Sequence, residues 1–538
     1  MRLALKRTAC ILLVVLLCSV AWLHFVGRIS LTTQDLGRHI RNGELALTGH
    51  HIISTNYYAY TYPDFHTVCH HWAAGVLLFL VWKAWGFVGL SSFYGGVLLI
   101  TFAFFIWTAA RSASCRSALT AAALVLPLLA YRIEIRPEGL TTLFLGLNFL
   151  LLDSYRRGKL DGRWLWLVPV VHLLWVNVHI LFAVGLCLTG IFILDALVRE
   201  GFSRSFRLLF GVGLASVAAS CLNPFGLEGV LQPLNIFNVY GYKLAENQTV
   251  FFMMKRFPGR TIYEYFLILL GVAAALWILR VVRERNWRDS FLHLALLVFF
   301  GLMAVKAVRA IAMFGLFFIP LAAENWESVV AGYAGRWAGA WRRLTALACG
   351  ALILMAAVVP SFYLSPLRKY SRLVGDPQYA NSLFYVLARP ALWAGLEDGV
   401  NGSAEFFRGN GLRGPVFNNY DIGGYFIFHL FPGERPFVDN RPEAYPVDFF
   451  SKTYGPMQED DKVWEDISRQ YGFEVIYFYR HDMTTWGQPF LIRRLADPRW
   501  APVFVDAWTI ILARRGGVNQ SVIDRFELPR SMFRSRKN

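Results

Sequence analysis

Long apolar runs recur through the first 362 residues and then stop. A bilayer core about 30 Å thick needs roughly 20 apolar residues per helix, and bundles tolerate shorter stretches. Ten runs fit that pattern: 8–26, 91–110, 117–131, 139–153, 164–180, 181–198, 208–222, 263–279, 289–304 and 344–362. An eleventh, 307–323, begins on the Lys306/Arg309 step and is otherwise apolar. The stretch 70–89 is short, interrupted by Lys83 and bracketed by Trp72, Trp82 and Trp85. Tryptophans so placed suit the membrane–water interface, so a helix lying in the outer interface is expected there.

Beyond residue 362 the pattern turns to short alternating runs with Gly/Pro punctuation, at Gly375-Asp-Pro377, Gly414-Pro415 and Pro432-Gly433. Segments 414–418, 436–439, 473–478 and 508–514 read as strands, and 422–431, 458–471 and 484–496 as helices. The predicted fold is a polytopic α-helical membrane bundle of about 11 spans plus an interfacial helix in the first outer loop (27–90). A small extracytoplasmic α/β domain follows, dividing the chain at 1–362 and 363–538 with a basic C-terminal end, Arg530 to Lys537.

Composition agrees: 56 % of residues are hydrophobic, mean hydropathy is +0.42, and only 17 % are charged, against about 25 % in soluble proteins. The net charge of +17 raises nucleic acid as a partner. Its distribution argues otherwise. With 70–89 not crossing, inner segments hold 19 Lys/Arg in 61 residues and outer segments 12 in 116. That bias follows the positive-inside rule, with the N-terminus cytoplasmic and everything after 362 outside. The first run lacks a small-x-small cleavage site and reads as an uncleaved signal anchor. There is no CxxC spacing, and no phosphate-loop, GxSxG or HExxH motif.

Candidate chemistry concentrates on the outer side. Asp35 lies about nine residues beyond the first run, at the membrane–water boundary. A carboxylate there takes a proton from an acceptor hydroxyl or holds a divalent metal. Its structural alternative is an N-cap for an amphipathic helix whose Leu36, Ile40 and Leu45 face lipid. Tyr57, Tyr58, Tyr60 and Tyr62 are read as lining the headgroup region or stacking on a sugar. His66, His70 and His71 fit no common zinc spacing and read as an interfacial anchor, with His71 placed to touch a ligand. The turn Arg132-Ile-Glu134-Ile-Arg136-Pro137-Glu138 carries charge that is costly at membrane depth. Either its members pair with one another or the two guanidiniums grip a phosphate. Trp175-Val-Asn177-Val-His179 ends another helix, and Lys306 and Arg309 form a further outward basic step. Arg38, Arg132, Arg136, Lys306 and Arg309 at similar depth favour an anionic, lipid-tethered ligand and no nucleic acid.

These elements together resemble the GT-C class of integral-membrane glycosyltransferases, in particular its bacterial mannosyltransferase-like, polyprenyl-phosphate-sugar-dependent members. The likeness rests on Asp35…His39…Gly43, Tyr60-Thr61, His70-His71-Trp72, Arg136-Pro137-Glu138 and Trp175-Val-Asn177-Val-His179. Asn223-Pro224-Phe-Gly226, Phe417-Asn-Asn-Tyr-Asp421-Ile-Gly-Gly424-Tyr and Asp439-Asn-Arg441 extend it. Asn56 stands where close relatives commonly carry Asp, and the family's second early acid has no clear match beyond Glu134 or Glu138. The resemblance implies transfer of a sugar from a polyprenyl-phosphate donor to an envelope glycan, lipid or protein on the extracytoplasmic face of a bacterial plasma membrane. It makes Asp35 catalytic and assigns substrate binding to Arg38, His39, His71, Arg132, Arg136, Glu138, His179, Lys306 and Arg309. The metal is unknown, with a divalent Mg or Mn ion left open. The alternative is a non-catalytic lipid-handling or scaffold protein that binds an envelope partner through its C-terminal domain. A transporter is disfavoured, because no paired half-repeats are present.

Overall fold

The computed structural model describes residues 2–533 apart from 238–240, 243, 260, 334, 336–337 and 365–393. Each of the eleven apolar runs contains helix. Those flanking the site are Arg2–Phe25, Trp72–Ala110, Cys115–Ala130, Pro137–Arg156, Leu167–Val178 and Ile311–Tyr333. Among the described residues, five helices are long and apolar enough to cross a membrane, and Cys115–Ala130 and Phe291–Lys306 are shorter apolar ones. Their ends follow local chemistry. Ser114 and Ser203 accept from backbone N–H groups of the first turns they precede, and Pro137 opens its helix with Glu138 beside it. Cys10 and Cys115 form a disulfide.

The expected interfacial helix and the span after it are one interrupted helix, Trp72–Ala110, broken where Gly86 adopts φ 61°. Only glycine takes that backbone without strain, so the chain turns there while remaining helical on both sides.

The Leu36–Thr48 helix is where expectation and structure differ most. Leu36 and Ile40 are buried in protein and do not face lipid. One side packs on Trp72–Ala110, where Gly43 meets Gly75; a Cβ on Gly43 would stand 2.0 Å from the Gly75 carbonyl oxygen. The other meets the C-terminal domain: a Cβ on Gly37 would stand 2.6 Å from the Gly424 oxygen. Two glycine contacts thus clamp the helix between the bundle and the C-terminal domain. Leu45 is half-buried beside Ile53 and Tyr58.

The tyrosines of the first loop also leave their expected place. Tyr58 is fully buried and donates to Asn42 (2.7 Å), and Tyr60 donates to the Val416 carbonyl (2.9 Å). Thr61 donates to the Phe437 carbonyl (2.5 Å), and Arg28–Ile29 pairs in parallel with Gly395–Leu396. These residues fasten the loop to the C-terminal domain instead of lining headgroups; Tyr62 alone of the four is exposed.

The C-terminal domain holds a four-stranded sheet ordered 416–418, 475–479, 509–514, 500–505, with the first pair parallel and the others antiparallel. Gly402–Gly409, Gly423–Leu430, Asp461–Tyr471, Gly487–Ala496 and Gln520–Phe526 are its principal helices. The strand expected at 436–439 is irregular. Asn418 takes the ladder's place, accepting from Phe437 N–H (2.8 Å) and donating to the Val438 carbonyl (2.7 Å). Strand Trp500–Val505 was not anticipated; it carries Pro502 and lies at the sheet edge, where a missing N–H is tolerated. The division expected at 362/363 falls inside the helix Ala338–Leu364, in its last turn. The punctuation at 375–377 and residues 534–537 of the basic end lie outside the described residues.

Candidate active site

A cavity of about 820 Å³ lies between helix ends of the bundle and the C-terminal domain. Asp35, Arg38, His39, His71, Arg132, Arg136, Glu138, His179 and Arg309 all line it. Lys306 does not: it stands exposed at the end of Phe291–Lys306 and is not among the lining residues.

Asp35 occupies the N-cap position of Leu36–Thr48, but its side chain makes no capping hydrogen bond. It lies 3.8 Å from both Arg38 Nη2 and Arg136 Nη1, and is 20 % exposed. The carboxylate thus faces the cavity with two guanidiniums near it and neither in tight contact. Burial raises its pKa, against the pull of Arg136 and Arg38.

The two readings of the arginine turn prove compatible. Arg132 bonds Glu138 (3.1 Å), and Arg136 pairs with Glu134 (3.1 Å). Both also donate to Glu246, at 2.7 and 2.8 Å, with Arg309 at 3.4 Å from the same carboxylate. Burial opposes ionisation of Glu246, yet Arg136, Arg132 and Arg309 hold its carboxyl well below the usual range. The Nε atoms of Arg38 and Arg132 are buried without a hydrogen-bond partner.

Motifs distant in the chain meet here. Trp72 donates from Nε1 to Asn177 Oδ1 (3.0 Å), joining the two tryptophan-containing segments. The His39 and His71 rings are 5.4 Å apart and those of His71 and His179 5.0 Å. His179 Nδ1 accepts from Leu181 N–H (3.4 Å), which makes it the acceptor for the Thr141 hydroxyl (2.8 Å) and leaves the proton of the neutral ring on Nε2; Thr141 in turn accepts from Trp175 Nε1 (2.9 Å). Burial, with help from Arg38 and Arg136, pushes His39 well below its ordinary pKa; burial and the neighbouring histidines do the same for His71. Both imidazoles are neutral at physiological pH.

Several lining residues were not singled out from sequence. Glu246 is one of only two acids in the segment 223–262, and that scarcity was its one available signal. Tyr420, Asn440, Glu443 and Trp486 come from the C-terminal domain. Asp421, part of a motif but given no role, also lines the cavity; burial and then Asp482 and Asp35 raise its pKa. Asn56 accepts from Arg441 Nη2 (2.9 Å) while Asp439 holds the same guanidinium (2.6 Å). An amide at position 56 suits an arginine already neutralised by its neighbour.

A divalent cation fits this donor set poorly. Asp35 is bracketed by two arginines, and among the described residues no group of three His, Cys, Asp or Glu closes on one point.

No protein-family model matches the chain, and no curated protein does. Solved structures match it. The archaeal oligosaccharyltransferase AglB from Archaeoglobus fulgidus, in complex with an inhibitory peptide and a dolichol-phosphate, superposes with TM-score 0.59 at 12 % identity, over 95 % of this chain and 75 % of that one. ArnT from Cupriavidus metallidurans, bound to undecaprenyl phosphate, gives 0.53 at 13 % identity, over 95 % and 99 %. The fold is that of the GT-C membrane glycosyltransferases. Another solved state of the Archaeoglobus enzyme, in complex with Zn and sulfate, matches with TM-score 0.50 at 11 % identity, over 93 % and 73 %. At such identities the likeness to GT-C enzymes is one of architecture, and the chemistry of this chain rests on its own residues.

Proposed function

We propose that this protein is a membrane glycosyltransferase that moves a sugar from a polyprenyl-phosphate donor to an envelope glycan, lipid or protein acceptor. The observation that carries the reading is the convergence of Asp35 with Arg38, Arg132, Arg136 and Arg309 on one cavity. A crevice beside it adds support. Arg132 and Arg136, with their partners Glu134 and Glu138, share its lining with Phe25, Leu98, Leu129 and Leu316, a mixture of charge and apolar wall that suits a phosphate head joined to an apolar tail.

In the proposed reaction the acceptor X–H attacks the anomeric carbon of the donor sugar. The X–C1 bond forms as the bond from C1 to the phosphate oxygen breaks. The acceptor proton passes to the Asp35 carboxylate, whose raised pKa makes it a better base than an exposed aspartate. The arginines stabilise the charge that develops on the leaving phosphate. His39, His71 and His179 offer uncharged hydrogen-bonding groups to sugar hydroxyls. No step is routed through a metal ion. The proposed setting is a bacterial plasma membrane, with eleven crossings, a cytoplasmic N-terminus and an extracytoplasmic C-terminal domain.

The test is transfer from a defined polyprenyl-phosphate sugar by purified protein and its Asp35→Asn variant. Loss of transfer with intact folding supports the reading. Unchanged transfer in the variant overturns Asp35 as the base, and no transfer by the wild type overturns the transferase reading in favour of a scaffold.

A further inference from the structure

Glu246 is anomalous for a cavity that takes an anion, because it already fills the place the anion needs. Its carboxylate accepts from Arg132 and Arg136 at 2.7 and 2.8 Å and faces Arg309 at 3.4 Å. Glu134 and Glu138 belong to the same turn as the arginines they pair with, and Asp35 keeps 3.8 Å from its two. Glu246 alone of these acids reaches the turn's arginines at hydrogen-bond distance from a separate segment. It sits on a three-residue turn, Ala245–Asn247, docked by the bond from Val308 N–H to the Gln248 carbonyl (3.1 Å).

Charge balance points the same way. Around the arginine turn four guanidiniums (Arg38, Arg132, Arg136, Arg309) are paired with four carboxylates (Asp35, Glu134, Glu138, Glu246), so that ionised set is neutral without a ligand, and the cavity's remaining charged residues, Arg256 against Asp421 and Glu443, add no excess of basic groups. Adding a phosphate leaves excess negative charge in a poorly solvated site, which is costly. Removing one carboxylate as the phosphate enters avoids most of that cost.

We propose that Glu246 is an internal stand-in for the phosphate, holding the arginine site closed until a phosphate ester displaces it from Arg132, Arg136 and Arg309. The inference rests on the phosphate-site reading above. It makes Glu246 a specificity-determining residue: a weak or uncharged headgroup fails to compete with it, and a phosphate succeeds. After transfer, return of Glu246 expels the phosphate product.

The sign of the effect separates this role from a structural one. A residue that merely orders the arginines weakens phosphate binding when removed; a competitor strengthens it. Binding of farnesyl phosphate and of inorganic phosphate should be measured on the full-length protein in nanodiscs, with Glu246→Gln, Glu246→Asp and Arg136→Gln beside the wild type. Glu246→Gln should bind farnesyl phosphate about tenfold tighter, the penalty lifted when a site nine-tenths occupied by its own carboxylate is freed. Glu246→Asp, with a shorter reach, should shift in the same direction by less, and it carries the test if the Gln variant does not fold.

Tightening of farnesyl phosphate alone identifies a lipid-tethered ligand, and tightening of both probes identifies the phosphate group itself. If Arg136→Gln abolishes binding while the Glu246 variants bind equally or more weakly, the stand-in role is overturned and the phosphate site survives. If wild type and Arg136→Gln bind alike, the phosphate-site reading falls instead.

Discussion

The helix Pro137–Arg156 carries an arginine–carboxylate cluster at each end, and the two are built differently. At its C-terminal end Arg156 grips Asp195 through two nitrogens (2.7 and 3.2 Å), and Arg199 shares that carboxylate (3.1 Å). Arg157 holds Asp153 at 2.7 Å and Glu324 at 2.5 Å. The Asp195 and Asp153 side chains are 1 % and 2 % exposed. At the N-terminal end Asp35 stands 3.8 Å from its arginines, and a cavity of about 820 Å³ adjoins them. The far cluster ties helices together. The near one is paired as tightly at Glu246 (2.7 and 2.8 Å) but holds Asp35 apart from its arginines beside open volume, which is what a ligand requires. Counting ion pairs would not distinguish them; the open volume and the spacing of Asp35 do.

Exchanging the same atoms at both ends tests that distinction most strongly. Asp35→Asn should lower transfer by about 10³-fold, within the span general-base catalysis supplies, without loss of folded protein. Burial raises the folded pKa of Asp35 above its unfolded value. Its contribution to stability is therefore fully present below the unfolded pKa and is lost as pH rises through the folded one. The Asn variant should accordingly be no less stable than wild type at neutral pH in thermal melts. Asp195→Asn should do the reverse: a loss of about 3–5 kcal/mol from breaking a buried pair, with transfer per folded molecule unchanged. Equal stability losses at both ends would erase the contrast.

Arg136→Gln comes next, with turnover expected to fall about 10²-fold, the usual effect of removing one preorganised donor from a developing oxyanion. Its pH profile should keep the wild-type shape but move to higher pH, because Arg136 is the main charge holding the Asp35 pKa down. Transfer rises with pH in both proteins as Asp35 ionises, with a midpoint above the ordinary aspartate range. A profile set by an ordinary carboxylate would argue that Asp35 is not the base.

The sequence revealed the bundle more readily than the site's second wall, for physical reasons. Spans are legible because hydrocarbon imposes length and apolarity on each helix separately. Asp35, Arg132 and Arg136 were legible as charges placed where charge is expensive. Glu246, Tyr420 and Trp486 were not. They reach the cavity through long-range packing, and nothing within a few residues of each signals the partner across the cavity. The Leu36–Thr48 helix failed similarly. Its apolar face was clear, but the pattern cannot say whether lipid or another domain covers it, and here the cover is Gly423–Leu430 with its glycine contact at Gly37.

That contact gives a smaller, structural prediction. Gly43→Val would drive a side chain into the Gly75 carbonyl, and Gly37→Val into that of Gly424. Each should cost about 1–3 kcal/mol by overpacking. Both should also lower transfer several-fold, because the helix they displace carries Asp35 and His39. A melting shift with transfer unchanged would show that the clamp does not position the site.

Lys306 is the smallest case and discriminates well for that reason. It is basic, outward in the predicted topology and only three residues from Arg309, so sequence groups it with the site arginines. The structure separates them: Arg309 lines the cavity near Glu246, and Lys306 stands exposed on the preceding helix. If cavity position decides function, Lys306→Ala should change turnover less than about twofold and stability by no more than about 0.5 kcal/mol, as surface substitutions do. Arg309→Ala, three residues away, should weaken prenyl phosphate binding clearly. A Lys306 effect as large as that of Arg309 would mean that general positive charge on the outer face attracts the donor. The arrangement around the cavity would then matter less than the two ends of Pro137–Arg156 imply.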